Sequence, residues 1–124
     1  IVAGLQLTDT SPLDVTDGIF FLKSDGAATI SFIVEKDSTQ STLTLPNSLA
    51  DDTFMTLGFV YDPKDQKFHV FQNNVLAGTV VSTNAPDDEE LTVSFGIQNG
   101  AAAAKTLTVD YIGASKERTA VTEL

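Results

Sequence analysis

Apolar and polar residues alternate with period two along most of the chain, in short runs separated by turn formers, and helical spacing is nearly absent. This is the pattern of half-buried strands in an antiparallel all-β domain, because successive side chains of a strand point to opposite faces. The clearest run is 91–98, where Leu91, Val93, Phe95 and Ile97 share a face predicted to be core, and Thr92, Ser94, Gly96 and Gln98 share the other. The same alternation predicts strands at 107–112 and 29–35, the latter with Ile30, Phe32 and Val34 inward and Ile33 unassigned. Further strands are predicted at 18–23, 42–45, 54–62, 67–73 and 75–81. With the strand that Ile1 to Leu7 opens, about nine result. Phe20, Phe32, Phe59, Phe68 and Phe95 fall at inward positions of these runs.

Turn residues support the cuts. Asp17-Gly18, Asp25-Gly26, Leu45-Pro46-Asn47, Asp62-Pro63-Lys64-Asp65, Asn73-Asn74 and Asn99-Gly100 supply either a readily positive φ or the fixed φ of proline. The short linkers at 63–66 and 73–74 predict a three-stranded meander, the second through a two-residue turn matched to strand twist. Two longer connections, 47–52 and 82–90, are predicted to cross between sheets or edges. The predicted architecture is therefore all-β, an antiparallel two-sheet jelly-roll sandwich. Ala101 to Ala104 is too short to hold a helix in water and is read as a loop of small side chains. Residues 1–112 are assigned to the jelly-roll domain and 113–124 to a polar C-terminal tail, or to an arm ordered by a partner. Ile1 opens in mid-strand without a polar lead-in, which predicts upstream strands belonging to the same domain.

Composition narrows the function classes. The chain has 124 residues, 42% of them hydrophobic, a formal net charge of −10 and no cysteine. One domain of this size buries a true core without disulfide or metal staples. Seven basic residues against seventeen acidic ones argue against nucleic acid or an anionic membrane surface as partner. No apolar run approaches the ~20 residues of a membrane-crossing helix, and no secretory signal is present.

Candidate chemistry is sparse. Glu35-x-Asp37 places two carboxylates on one side of a strand end, as glycoside hydrolysis requires, but Gln40 and Ser41 stand where a further acid is sought. The pair is read as a solvated strand end. Asp87-Asp88-Glu89-Glu90 offers hard oxygen ligands for Ca²⁺ only if the loop curls, since consecutive residues of an extended chain diverge; it and Asp51-Asp52 are read as solvated loops. His69, the single histidine, has no identifiable nucleophile or fellow ligands and is read as a strand-surface residue. Gly96-x-x-x-Gly100 lacks the lysine and following helix of a phosphate loop. Tryptophan is absent, and most phenylalanines are claimed by the core, so no aromatic platform for a sugar stands out. No catalytic, cofactor-binding or metal-ligating residue is assigned, and no cofactor is expected.

Several strand segments carry a resemblance. Asp17-Gly18-Ile19-Phe20-Phe21, then Leu57 to Asp62 leading into Phe68 to Leu76, and finally Leu107-Thr108-Val109-Asp110-Tyr111-Ile112 resemble a concanavalin A-like, laminin-G-like jelly roll over most of 1–112. More narrowly, Asp51 to Phe54 with Leu57-Gly58-Phe59, Asp87 to Phe95, and Ala101 to Ala104 before Thr106 to Tyr111 are similar to small structural proteins of tailed bacteriophages, commonly head decoration (cement) proteins. The resemblance implies a non-enzymatic virion protein on the outer surface of the capsid, and additional N-terminal strands. The expected partner is the major capsid protein, whose lattice the chain clamps, and the expected assembly is a homotrimer about a local threefold axis. The alternative is a carbohydrate-binding, lectin-like module displayed on the virion; a glycosidase on the same fold is the third and least supported reading.

Overall fold

The computed structural model describes residues 1–8 and 11–117. Eight strands are present among them: β1 (Val2–Gln6), β2 (Gly18–Leu22), β3 (Thr29–Lys36), β4 (Thr39–Ser48), β5 (Leu57–Asp62), β6 (Lys67–Gln72), β7 (Val75–Val81) and β8 (Thr92–Gly96). They form two antiparallel sheets packed face to face, one of five strands in the order β4-β3-β2-β1-β8 and one of three in the order β5-β6-β7. Both predicted crossovers are found. The chain leaves the larger sheet after β4, runs the β5-β6-β7 meander, and returns through a 3₁₀ turn at Ser82–Asn84 to lay β8 beside β1.

The turns follow from residues that tolerate positive φ. Asn73 and Asn74 both adopt it, at 52° and 63°, closing the β6–β7 hairpin with the twist of its strands. Asp37 and Ser38 do the same between β3 and β4, at 48° and 62°. That hairpin lets β4 run for ten residues, well beyond the predicted 42–45. Its Thr, Ser and Gln content conceals it, because β4 is an edge strand with one face in water.

The core lies between the sheets. Ile19, Phe21, Ile30, Phe32, Val34, Leu45, Phe68, Val70 and Val80 form one buried cluster. Within it the Phe32 ring stands 5.1 Å from Phe21, 5.2 Å from Phe59 and 6.0 Å from Phe68, all tilted. Tilted rings at this separation set positive edges against negative faces. Ile30, Phe32 and Val34 point inward as their alternation predicts. The buried Gln72 fastens one sheet to the other: its Nε2 donates to the Asn47 carbonyl at 2.8 Å, and its Oε1 accepts from the Asn47 N–H at 2.9 Å.

A second cluster, Val2, Val15, Phe20 and Ile33, occupies the opposite face of the five-stranded sheet. It is covered by the segment before β2, which the buried Gln6 ties down by donating to the Pro12 carbonyl at 2.8 Å. This corrects the expectation for Phe20. β2 is buried on both faces, so Phe20 packs behind the sheet while Phe21 enters the inter-sheet core.

Two other expectations change. Residues 107–112 form no strand, and among the described residues no backbone hydrogen bond joins them to either sheet. A strand exists only where a neighbour takes up its main-chain groups. In β8, shorter than predicted, Val93 and Phe95 share the face of the inter-sheet core but are exposed, because the three-stranded sheet ends before reaching them. Residues 113–117 are exposed, and the rest of the predicted tail, 118–124, lies outside the described residues.

Candidate interaction surfaces

The structure separates the residues with chemical potential. Glu35 and Asp37 do not share a solvated face. Glu35 is buried on the back of the five-stranded sheet in the row of Gln6, Gly18 and Gln40, whereas Asp37 occupies a left-handed turn position and is exposed. Burial pushes the Glu35 carboxyl above the ordinary glutamate range; a hydrogen bond with Gln40 opposes the shift, and the Asp17 and Asp14 carboxylates add to it. The buried Asp17 is structural: one oxygen accepts from the Thr16 hydroxyl at 2.8 Å and the other from the Asp37 N–H at 3.2 Å, binding the β3–β4 turn to the start of β2.

The acidic run 87–90 is exposed, and Lys36 Nζ donates to Asp87, with Asp88 at 3.9 Å. This lysine holds the Asp87 carboxyl below its ordinary value. Asp51 and Asp52 lie in an exposed turn, Asp52 with φ of 53°. His69 sits on the outer face of β6, its Nε2 4.0 Å from an Asp62 oxygen. Among the described residues no three His, Cys, Asp or Glu side chains converge as a metal would require. A half-open groove of about 310 Å³ under Pro12 and Leu13, floored by Val2, Gly96 and Ile97, contains no ionisable side chain.

What the structure does bring together is apolar surface. On the outer face of the three-stranded sheet, cross-strand rows are Phe71 beside Leu76, and Val60 beside His69 and Thr79; Val81 continues the face next to Lys67. Val60, Leu76 and Val81 are exposed and Phe71 is half-buried. A solvated face of an antiparallel sheet is ordinarily polar. The signal for this was present in the sequence, where Gly58-Phe59-Val60-Tyr61 is apolar in both phases of the alternation and Phe71 adds an apolar residue to the second phase of Phe68-His69-Val70-Phe71. Such runs mark strands with something to cover on each side.

The second surface is the overhang of the larger sheet. Two rows cross its inner face: Phe32, Phe21, Ala3, Phe95, and Val34, Ile19, Leu5, Val93. Exposure climbs along them, from 0% at Phe32 through 5% at Phe21 to 56% at Phe95, and from 0% at Val34 through 8% at Ile19 to 46% at Val93. β5 is an edge strand of the three-stranded sheet, and its Phe59 packs on Phe21 and Phe32 of the larger sheet. Beside the edge of β5, the inner face of β1 is therefore half-buried and that of β8 exposed. Comparison with protein-family models, curated proteins and solved structures gives no match to this chain.

Proposed function

We propose that this is a non-enzymatic virion protein, a decoration (cement) protein that docks on the major capsid protein lattice at the outer surface of a phage head and stabilises the shell, as a homotrimer. The sandwich is read as a concanavalin A-like jelly roll; the two crossovers and the return of β8 beside β1 support that topology. One observation carries the functional reading: the outer face of the three-stranded sheet presents Val60, Leu76 and Val81 to solvent on an otherwise acidic body. Leu76 lies beside Phe71 and Val60 is on the next outward row, while Thr79, His69 and Lys67 stand between them and Val81; an exposed apolar patch on one face supports a contact site. Docking this face adds interface between neighbouring capsomers and requires no chemistry.

The test is addition of the purified protein to undecorated heads, followed by heating. The wild type is expected to raise the rupture temperature. The double variant Val60→Asp, Leu76→Asp keeps the fold by circular dichroism and binds heads at least about tenfold more weakly, since central apolar contacts carry most of an interface's energy. Heads that neither bind the wild type nor gain heat resistance overturn the reading.

A second reading, a glycan-binding module, draws on the exposed rings of Phe54, Tyr61 and Phe95. Exposed aromatic faces stack on sugar rings. Binding on a glycan array that is lost in Phe95→Ala would favour this reading, and a flat array would remove it.

A further inference from the structure

The overhang and the segment 107–112 are two open halves of one missing contact. The overhang offers a hydrophobic floor, Leu5, Val93 and Phe95, and, bordering it, the main-chain edge of β5, unpaired among the described residues. A strand laid along that edge would become the fourth of the upper sheet and close the floor. The segment 107–112 has the form of that strand. It spans six residues, as β5 does. In extended conformation Leu107, Val109 and Tyr111 fall on one face, opposite Thr108, Asp110 and Ile112. Val109 and Tyr111 are exposed, and the single charge, Asp110, falls on the face directed away from the floor.

In a single chain both halves remain open: the segment makes no backbone hydrogen bond to a sheet among the described residues, and Phe95 and Val93 stay exposed. A donor and an acceptor that are different patches of one molecule make a head-to-tail contact between copies, and such contacts form closed rings when the rotation closes. We propose that residues 107–112 of one copy add as a strand to the β5 edge of the next, covering Leu5, Val93 and Phe95, and that this exchange builds the oligomer. The inference deepens the homotrimer of the preceding reading, and uses the overhang rather than the outer face assigned to the capsid. Strand addition supplies affinity through main-chain pairing and selectivity through the alternate side chains. The chain's net charge of −10 opposes self-association, so the exchange strengthens as salt screens that repulsion.

The experiment is light scattering and sedimentation on the full chain, with two variants that remain folded because their substitutions are at exposed positions. Val109→Asp with Tyr111→Asp removes the donor; Val93→Asp with Phe95→Asp removes the acceptor. The wild type is expected as a closed ring, and each variant alone as a monomer, a threefold fall in mass for a trimer. Mixed together, the two variants recover a one-to-one dimer, because each retains the half the other lacks. A wild type that stays monomeric up to high concentration overturns the proposal, whether or not hydrogen exchange finds 107–112 protected by closure within its own chain. So does an oligomer that both variants keep, or a mixture that stays monomeric. Head binding by Val60→Asp, Leu76→Asp is a separate readout: its result bears on the capsid reading and leaves the strand exchange as it stands.

Discussion

The two ends of the five-stranded sheet are built from similar residues and live in different environments. Towards one end Phe32 and Val34 on β3, next to the edge strand β4, pack in the inter-sheet core, wholly out of water. At the other, Phe95 and Val93 occupy the same two cross-strand rows and about half of each side chain is exposed. The alternation that writes an inward phenylalanine is the same in both places. What differs is whether a second layer stands opposite, and that is set by the number of strands in the other sheet. An apolar strand face is therefore a request for cover. Where the chain itself does not meet it, the face stays in water, as at Val93 and Phe95.

The largest expected effect is a direct test of that contrast between two phenylalanines of one row. Phe32→Ala removes a ring packed among Phe21, Phe59 and Phe68. It should cost about 3–5 kcal/mol, the usual penalty for emptying a buried aromatic site. Phe95→Ala, measured at concentrations where the chain is monomeric, should cost less than about 1 kcal/mol, because its ring is already half in water. Urea unfolding of both variants reads the difference. Equal costs would mean that Phe95 is covered within the single chain, and the contrast between the two ends would fail.

A smaller effect tests the other side of the open end. β1 is half-buried on its inner face and tightly packed on its outer one. A Cβ at Gly4 would lie 2.5 Å from the Ile19 carbonyl oxygen and 2.5 Å from the Phe20 Cα, and neither backbone atom can move aside without shifting β2. Gly4→Ala should therefore destabilise by about 2–3 kcal/mol, in the range of an overpacked core, although it sits next to the most exposed edge of the fold. Thermal unfolding checks it; a neutral result would show that the β1–β2 pair is loose, and that exposure at this end reflects poor packing rather than a missing layer.

Much of this was legible from residues alone, and the misses share one cause. Ile30, Phe32 and Val34 give the inner face of β3 directly, and Asn73-Asn74 gives the β6–β7 hairpin, because strand period and positive φ are local properties. Phe20 was not assignable by the same means: β2 reads Gly-Ile-Phe-Phe-Leu and is buried on both faces, so alternation holds no information there. Segment 107–112 has the alternation of a strand and no neighbour to pair with. The outer face of β5 to β7 carries apolar residues in the phase opposite to the core, and alternation alone does not say which of two apolar phases is covered. In each case the residue's own preference is plain and its partner is decided by layers far away in the chain. The solvated strand end expected at Glu35 and Asp37 fails for the same reason, since the burial of Glu35 comes from the segment before β2 and the side of Asp37 from a turn.

Glu35 yields the smallest effect and the sharpest sign. It lies on the back of the covered end, where cover is complete, and there the cost falls on a charge instead of a gap. Burial, reinforced by Asp17 and Asp14 and opposed by Gln40, holds its folded-state pKa above the ordinary value of 4.5 that the unfolded chain has. Between those two values the folded state keeps more protons than the unfolded one, so this group's contribution to stability is full below the unfolded value. That contribution is lost as pH rises through the folded one. Deprotonation places a charge on a side chain held out of water, beside the Asp17 and Asp14 carboxylates. Glu35→Gln retains the shape and a partner for Gln40 but removes that charge, and should raise the melting temperature at pH 7 by about 3 °C. The advantage should shrink towards zero as both proteins are taken below the unfolded value, where the wild-type side chain is itself neutral. Calorimetry across that range separates the charge from the shape: a difference between variant and wild type that does not change with pH would locate the effect in packing, and the back of the sheet would then be as permissive as the overhang at its other end.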